Sequence, residues 1–152
     1  ASSQLLEYEA SDFYPDARPC LDELRRRGYV VGIAANQPAW TEGFLARCGF
    51  EADLVATSET WGVHKPDPRF FERIVSELGI DPHQIAYVGD RVDYDVVPAA
   101  AAGLVPVFVH RGPWGYVHAA WPEVEQAALR LESLAELPDA LDRLARAEDG
   151  ST

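Results

Sequence analysis

The sequence predicts an α/β domain built as a doubly wound, three-layer parallel sheet. Short apolar runs rich in β-branched residues alternate with segments of helical period along the chain. Four of those runs are almost continuously apolar, the pattern of strands covered on both faces. The resulting β-α-β-α order calls for right-handed crossovers that put helices on both sides of the sheet.

Each element carries its own signal. Residues 17–27 read as a helix with Leu21 and Leu24 on one face and Arg25, Arg26 and Arg27 near its end, where cations favour the carbonyl terminus. The first strand follows Gly28, over 29–35. A helix over 38–48 opens at Pro38 and spaces Trp40, Phe44 and Cys48 four apart. The second strand is 53–57. Asp67 and Pro68 start a helix over 67–78 that Gly79 stops, with Phe70, Phe71, Ile74 and Leu78 on one face. The third strand, 84–88, is closed by Gly89 and Asp90, and an Ala- and Val-rich, buried helix spans 93–102. The fourth strand is 104–109, where Pro106 suggests an edge position or a bulge. A weaker fifth strand covers 128–132, and a last helix covers 137–147. Residues 1–147 make one domain, and 148–152 are expected to fray.

Composition narrows the function classes. In 152 residues, 13 Lys plus Arg stand against 25 Asp plus Glu, a net charge of −12. That excludes a binder of the nucleic-acid backbone and an anionic-membrane dock, both of which need clustered positive charge. With 47% apolar and 25% charged residues the chain is globular rather than disordered. Cys20 and Cys48 share no metal or redox spacing and read as reduced core residues of a cytoplasmic protein. No apolar run approaches the roughly 18 residues that span a bilayer, and the first ten residues lack the pattern of a signal peptide. The absence of Met is expected of a chain that begins inside a longer gene product.

In a doubly wound sheet, ligands sit beyond the carboxyl ends of the strands, so chemistry is sought there. After the first strand come Asn36 and Gln37, and the next helix follows; an Asn side chain with free helix N–H groups makes an anion site, or the Asn merely caps the helix. Lys65 stands between His64 and Pro66-Asp67-Pro68, where two prolines stiffen the loop and present an ammonium suited to phosphate charge; otherwise it is a solvated loop lysine. After the third strand, Asp90, Asp93 and Asp95 crowd one strand end and would repel each other without a cation. Oxygen ligands beside a phosphate suit Mg²⁺. Asp90 reads as the metal ligand and Asp93 as a helix cap. His64, His83, His110 and His118 are scattered and are assigned no catalysis. Trp114, after the fourth strand, either walls a pocket or covers the sheet edge.

Three segments in this order, Ile33–Asn36, Gly62–Phe71 and Tyr87–Asp95, resemble the haloacid-dehalogenase (HAD) superfamily, most of whose members are Mg²⁺-dependent phosphatases with a Rossmann-like core. Ala101–Gly103 and Arg111–Gly115 add lesser support, and the resemblance runs from about Tyr14 to Trp114. It implies that Asn36 holds the transferring phosphoryl group with Gln37 beside it, and that Lys65 neutralises the phosphate and pins the nucleophile. It implies that Asp90 binds Mg²⁺ and that Asp95 supports that site directly or through water. Ala35 stands where the family usually has Ser or Thr, which removes one hydroxyl donor to the phosphate, worth roughly 1–3 kcal/mol.

The resemblance also implies an omission. The family's nucleophile opens an Asp-x-Asp-x-Thr motif at the end of an N-terminal strand, and this chain has no such motif; Asp12 and Asp16 only flank Phe-Tyr-Pro. Residues 1–13 match the linker that leaves the family's cap domain, and 14–147 the rest of the core. The sheet is therefore expected to be incomplete at its central strand, between 29–35 and 84–88, with a gap of about 9–10 Å. Residues 4–9 carry Glu7 and Glu9 and fit a helix end better than a buried strand. A missing N-terminal segment or a second copy is expected to complete the sheet.

The function so implied is a hydrolase core whose parent cleaves small phosphate esters through an aspartyl-phosphate, with Mg²⁺ weak or absent for want of the nucleophile. The alternative is a catalytically inactive phosphate-binding or protein-interaction module. A receiver-like signalling domain is disfavoured by the order of its carboxylates and lysine.

Overall fold

The computed structural model describes residues 16–150. The expected linker 1–13, the stretch 4–9, Asp12 and residues 151–152 lie outside the described residues. The elements are α1 (Ala17–Arg26), β1 (Gly32–Ala35), α2 (Trp40–Arg47), β2 (Leu54–Thr57), α3 (Ser58–Trp61), α4 (Pro68–Leu78), β3 (Ala86–Gly89), a π-helical turn (Val92–Val96) running into α5 (Val97–Ala101), β4 (Val105–Val109), α6 (Gly112–His118), β5 (Leu129–Leu131) and α7 (Leu137–Asp149).

All strand pairs are parallel, but they fall into two sheets. β1 pairs with β2 from Gly32↔Leu54 to Ala35↔Thr57. The second sheet has the order β3-β4-β5. Side-chain alternation along the strands feeds two cores on opposite faces. Val88 and Val107 pack with Cys20 and Leu24 of α1 and Leu137 and Ala140 of α7. Tyr87 packs on the other face with Phe70, Phe71 and Ile74 of α4 and Ala99 of α5. The three layers are thus those the apolar runs predict.

Among the described residues, β1 and β3 each leave one edge without a strand partner. A cavity of about 820 Å³ separates them, lined by Ile33 and Ala35, by Val88 and Gly89, and by Leu24 and Ile74 from the two cores. One hydrogen bond crosses it, from the Tyr87 hydroxyl to the Ala34 carbonyl at 3.1 Å.

Four expectations are corrected. Pro106 lies in β4, a central strand. The Val105 N–H points at β3, to the Ile85 carbonyl, so the nitrogen of Pro106 faces β5 one residue before that pairing begins at Val107↔Leu129. No ladder bond is lost there. The helix read at 93–102 is a π-helical turn followed by a short α-helix. Pro98 has no N–H for the Tyr94 carbonyl, and the chain changes hydrogen-bond register just before it. Residues 111–116, to which the sequence pattern assigns no element, are mostly helix α6. Its apolar residues Trp114, Tyr116 and Val117 face outward, so no core-facing period marks it. At the C-terminus, α7 runs on to Asp149, two residues past the expected end.

Asp16 fastens α1 to the loops after β4 and β5. Its carboxylate accepts from Arg111, from the Ser133 hydroxyl at 2.7 Å and from the Leu134 N–H at 2.9 Å. Burial pushes this carboxyl up, but the hydrogen bonds and the Arg111 charge outweigh it and hold the pKa at about 2, below the ordinary 3.8. A lowered carboxyl pKa stabilises the fold above the unfolded value and loses that contribution as pH falls toward 2. Urea midpoints should therefore drop between about pH 4 and pH 2, and Asp16→Asn should flatten that limb. An acid limb unchanged in the variant would remove Asp16 from the account.

Candidate active site

The ends of β1 and β3 and the loop before α4 meet at one end of the cavity. Asn36 follows β1 directly. Its side-chain amide donates to the Lys65 carbonyl at 3.1 Å, and its oxygen accepts the Lys65 N–H at 2.8 Å. One hydrogen of the side chain assigned to the phosphoryl group thus goes to the peptide of the residue assigned to neutralise it. Further along the loop, the Lys65–Pro66 bond is cis, and Asp67 caps α4 by accepting the Arg69 N–H at 2.9 Å. The loop is held at both ends, as its two prolines predict.

The Lys65 ammonium lies 2.6 Å from Asp95 Oδ1, with side-chain exposures of 13% and 6%. Its Nζ sits 5.4 Å from the centroid of the Tyr87 ring. The second Asp95 oxygen accepts the Arg91 N–H at 3.1 Å. Gly89 makes room for this: a Cβ there would lie 2.2 Å from Asp95 Oδ2. The glycine at the end of β3 is therefore a spatial requirement of the aspartate six residues on. Burial pulls the Lys65 pKa down, but Tyr87 and Asp95 outweigh it and raise it above that of an ordinary lysine. Burial likewise pushes the Tyr87 hydroxyl up to about 12.

Asp90 lines the cavity with Gln37. Burial and then the Asp95 charge raise its carboxyl pKa, and Lys65 and Arg91 offset this only in part. It has no salt bridge among the described residues. A half-buried carboxylate without a salt-bridge partner fits a metal ligand. Asp95, by contrast, has both oxygens engaged. Among the described residues no group of three or more metal-ligating side chains comes together, so they supply one available carboxylate and not a complete site.

Asp93 departs from expectation, and Trp114 stands away from the cavity. Asp93 does not cap the turn; it holds Arg91 through two hydrogen bonds of 3.0 and 2.8 Å. Trp114 is 48% exposed and does not line the cavity; its ring lies 4.2 Å from the Arg91 guanidinium, which also covers Tyr94 at 3.8 Å. Sequence reasoning missed Tyr87, read only as a strand residue, and His118, which is buried at 1% exposure. It also passed over a plain signal: Lys65 is the only lysine in the chain.

Comparison with known proteins places these features. The haloacid dehalogenase-like hydrolase family matches residues 3–103. The chain is 38% identical over 106 residues to a glyceraldehyde 3-phosphate phosphatase of Methanopyrus kandleri, covering 66% of this chain and 45% of that protein. It is 36% identical over 126 residues to a phosphoserine phosphatase of Thermus thermophilus, covering 81% of this chain and 51% of the relative. The chain thus spans about half the length of these relatives. A crystal structure of a HAD phosphatase from Thermococcus onnurineus superposes with a TM-score of 0.74 at 28% identity, over 93% of this chain and 64% of that one.

The buried pair should be costly to break singly. Lys65→Met leaves the Asp95 charge enclosed without its partner, which costs about 3–5 kcal/mol. Chemical denaturation measures this directly; a loss below about 1 kcal/mol, the range of an exposed pair, would show that the ammonium does not pair in solution.

Proposed function

Because the chain belongs to the haloacid dehalogenase-like hydrolases, we propose that it is the phosphate-gripping part of a phosphohydrolase site whose nucleophile lies on a strand outside the described residues. The observation that carries this reading is the meeting of Asn36, Lys65, Asp90 and Asp95 beside the gap between β1 and β3. An apolar strand entering that gap would bring the residue at its carboxyl end to the same place as Lys65 and Asp90.

The roles follow from the contacts. Lys65 neutralises the phosphoryl charge and the attacking carboxylate, held in place by Asp95 and by the Asn36 clamp on its peptide. Gln37 and the Asn36 amide border the phosphate position. Asp90 is a ligand for Mg²⁺, and Asp95 supports that site through the Lys65 pair or a bridging water. Mg²⁺, when bound, supplies charge neutralisation between carboxylates and phosphate. The ester is hydrolysed through an aspartyl-phosphate formed on the nucleophile of the absent strand. The relatives' names support a small phosphorylated substrate, and the free thiols of Cys20 and Cys48 support a cytoplasmic setting. The open edges of β1 and β3 support a second reading, an inactive module that binds a phosphorylated ligand or a partner strand, including one exchanged with a second copy.

Turnover of an aryl phosphate with Mg²⁺ separates the two. The chain alone should show none above background. Adding a separate apolar strand peptide that carries an Asp-x-Asp-x-Thr end should restore it, and Asp90→Asn should abolish the restored rate. Turnover by the chain alone that survives Asp90→Asn would overturn the proposal. Phosphate binding without turnover in the presence of bound peptide would leave the inactive module.

A further inference from the structure

His118 ends α6, and it is as enclosed as any polar side chain among the described residues, at 1% exposure. Its ring stacks on Trp121 with centroids 3.9 Å apart and lies 5.7 Å from that of Trp114. Such a wall-to-wall aromatic setting would suit Phe or Leu equally well if packing were all that it served. The polar edge has one use instead: Nδ1 accepts the N–H of Val92 at 2.8 Å. Val92 is 0% exposed and is the first residue of the π-helical turn.

The first N–H groups of any helical turn lack partners within it. Here the Arg91 N–H is served from inside the turn, by Asp95 Oδ2 at 3.1 Å. The Val92 N–H is served from outside, by His118, 26 residues along the chain and on another element. Burial leaves no room for water to take that place. The turn so fixed delivers Asp95 into the space that Gly89 leaves open and onto the Lys65 ammonium. Asp93 Oδ1 is 3.6 Å from the same ring nitrogen, but it is held by Arg91. A ring that accepts from Val92 carries its proton on Nε2.

We propose that His118 is the positioning residue of the Lys65–Asp95 pair, acting through the Val92 N–H at the start of the turn that carries Asp95. Its bearing on catalysis rests on the phosphohydrolase reading, whereas its hold on the pair does not. A helix that follows β4 thereby sets the ammonium held at the end of β3.

The single lysine makes the test direct. Acylation of the full chain with an amine-reactive ester labels only Lys65 and the α-amino group, and peptide mass spectrometry reads the Lys65 rate. Lys65 should react slowly in the parent chain. His118→Leu keeps the apolar volume but removes the acceptor, and should raise the rate about tenfold, the factor that corresponds to 1.4 kcal/mol lost from the pair. His118→Asn returns an acceptor near the Nδ1 position and should restore the slow rate. Leu131→Ala, in the opposite core, serves as a variant of lowered melting temperature that leaves the turn intact, and its Lys65 should stay slow. The proposal is overturned if His118→Leu reacts no faster than the parent or than Leu131→Ala, or if His118→Asn stays fast. None of these readings needs phosphate or turnover, so failure of the phosphohydrolase reading remains separable.

Discussion

A single ammonium and carboxylate, Lys65 and Asp95, set the geometry around the end of β3. Burying both charges carries a desolvation penalty of several kcal/mol per ion, which their attraction alone offsets poorly. The pair persists because its remaining valences are filled: Asp95 accepts the Arg91 N–H, and the ammonium lies over the Tyr87 ring. Those requirements spread outward. Gly89 has no Cβ because Asp95 fills that space. The chain after Arg91 winds as a π-helical turn that returns Asp95 toward β3. Asn36 grips the Lys65 peptide from the end of β1. Two strands that share no ladder are thus tied through one loop and one ion pair.

The divided sheet is the second constraint. Backbone groups on the facing edges of β1 and β3 have no strand to pair with among the described residues. Each such group, if buried and unsatisfied, costs on the order of 1–3 kcal/mol, a large share of a domain stability of about 5–15 kcal/mol. Side chains from both layers meet in the gap, Leu24 from one side and Ile74 from the other. A strand that fits must therefore be apolar on both faces, as the strands of fully covered parallel sheets are. Tyr87 reaches across to Ala34 and satisfies one carbonyl. The rest of the edge calls for the half of the fold that the relatives have and this chain does not span.

All five strands were legible, β1, β3 and β4 because apolar β-branched runs beside a glycine leave little choice of structure, although β1 proved three residues shorter than its apolar run. It starts at Gly32, where pairing with Leu54 begins, while Val30 is 55% exposed. Helix α6 was illegible because its apolar residues face outward, and the π-helical turn because Pro98, which marks its end, was taken as the interior of one helix. The residues of the site were readable from their spacing, but their partners were not. Asn36, placed at an anion site by its strand end, also clamps the Lys65 peptide; Asp93 was expected to cap and instead holds Arg91. Side-chain identity at a strand end narrows the chemistry, while pairing depends on which loops fold back, and that is decided by contacts distant in sequence. His118 illustrates the limit: 26 residues separate it from Val92, and no local pattern connects them.

Charge explains why the site is built around so few cations. The chain carries a net charge of −12, and its surroundings repel a phosphate dianion. Arg91 and Arg111, which follow β3 and β4, are engaged by Asp93 and Asp16 and so present no unmatched positive charge. Lys65 is likewise matched by Asp95. The excess at the end of β3 is then the carboxylate of Asp90, whose raised pKa records both its burial and the proximity of Asp95. A phosphate brought there would add negative charge to negative charge. In the proposed reaction a divalent cation beside Asp90 relieves that repulsion, and it does so at the one carboxylate of the cluster that no side-chain cation already holds. In that proposal, a nucleophilic carboxylate on a strand entering the gap would add a further negative charge at the same position and deepen the need for the cation.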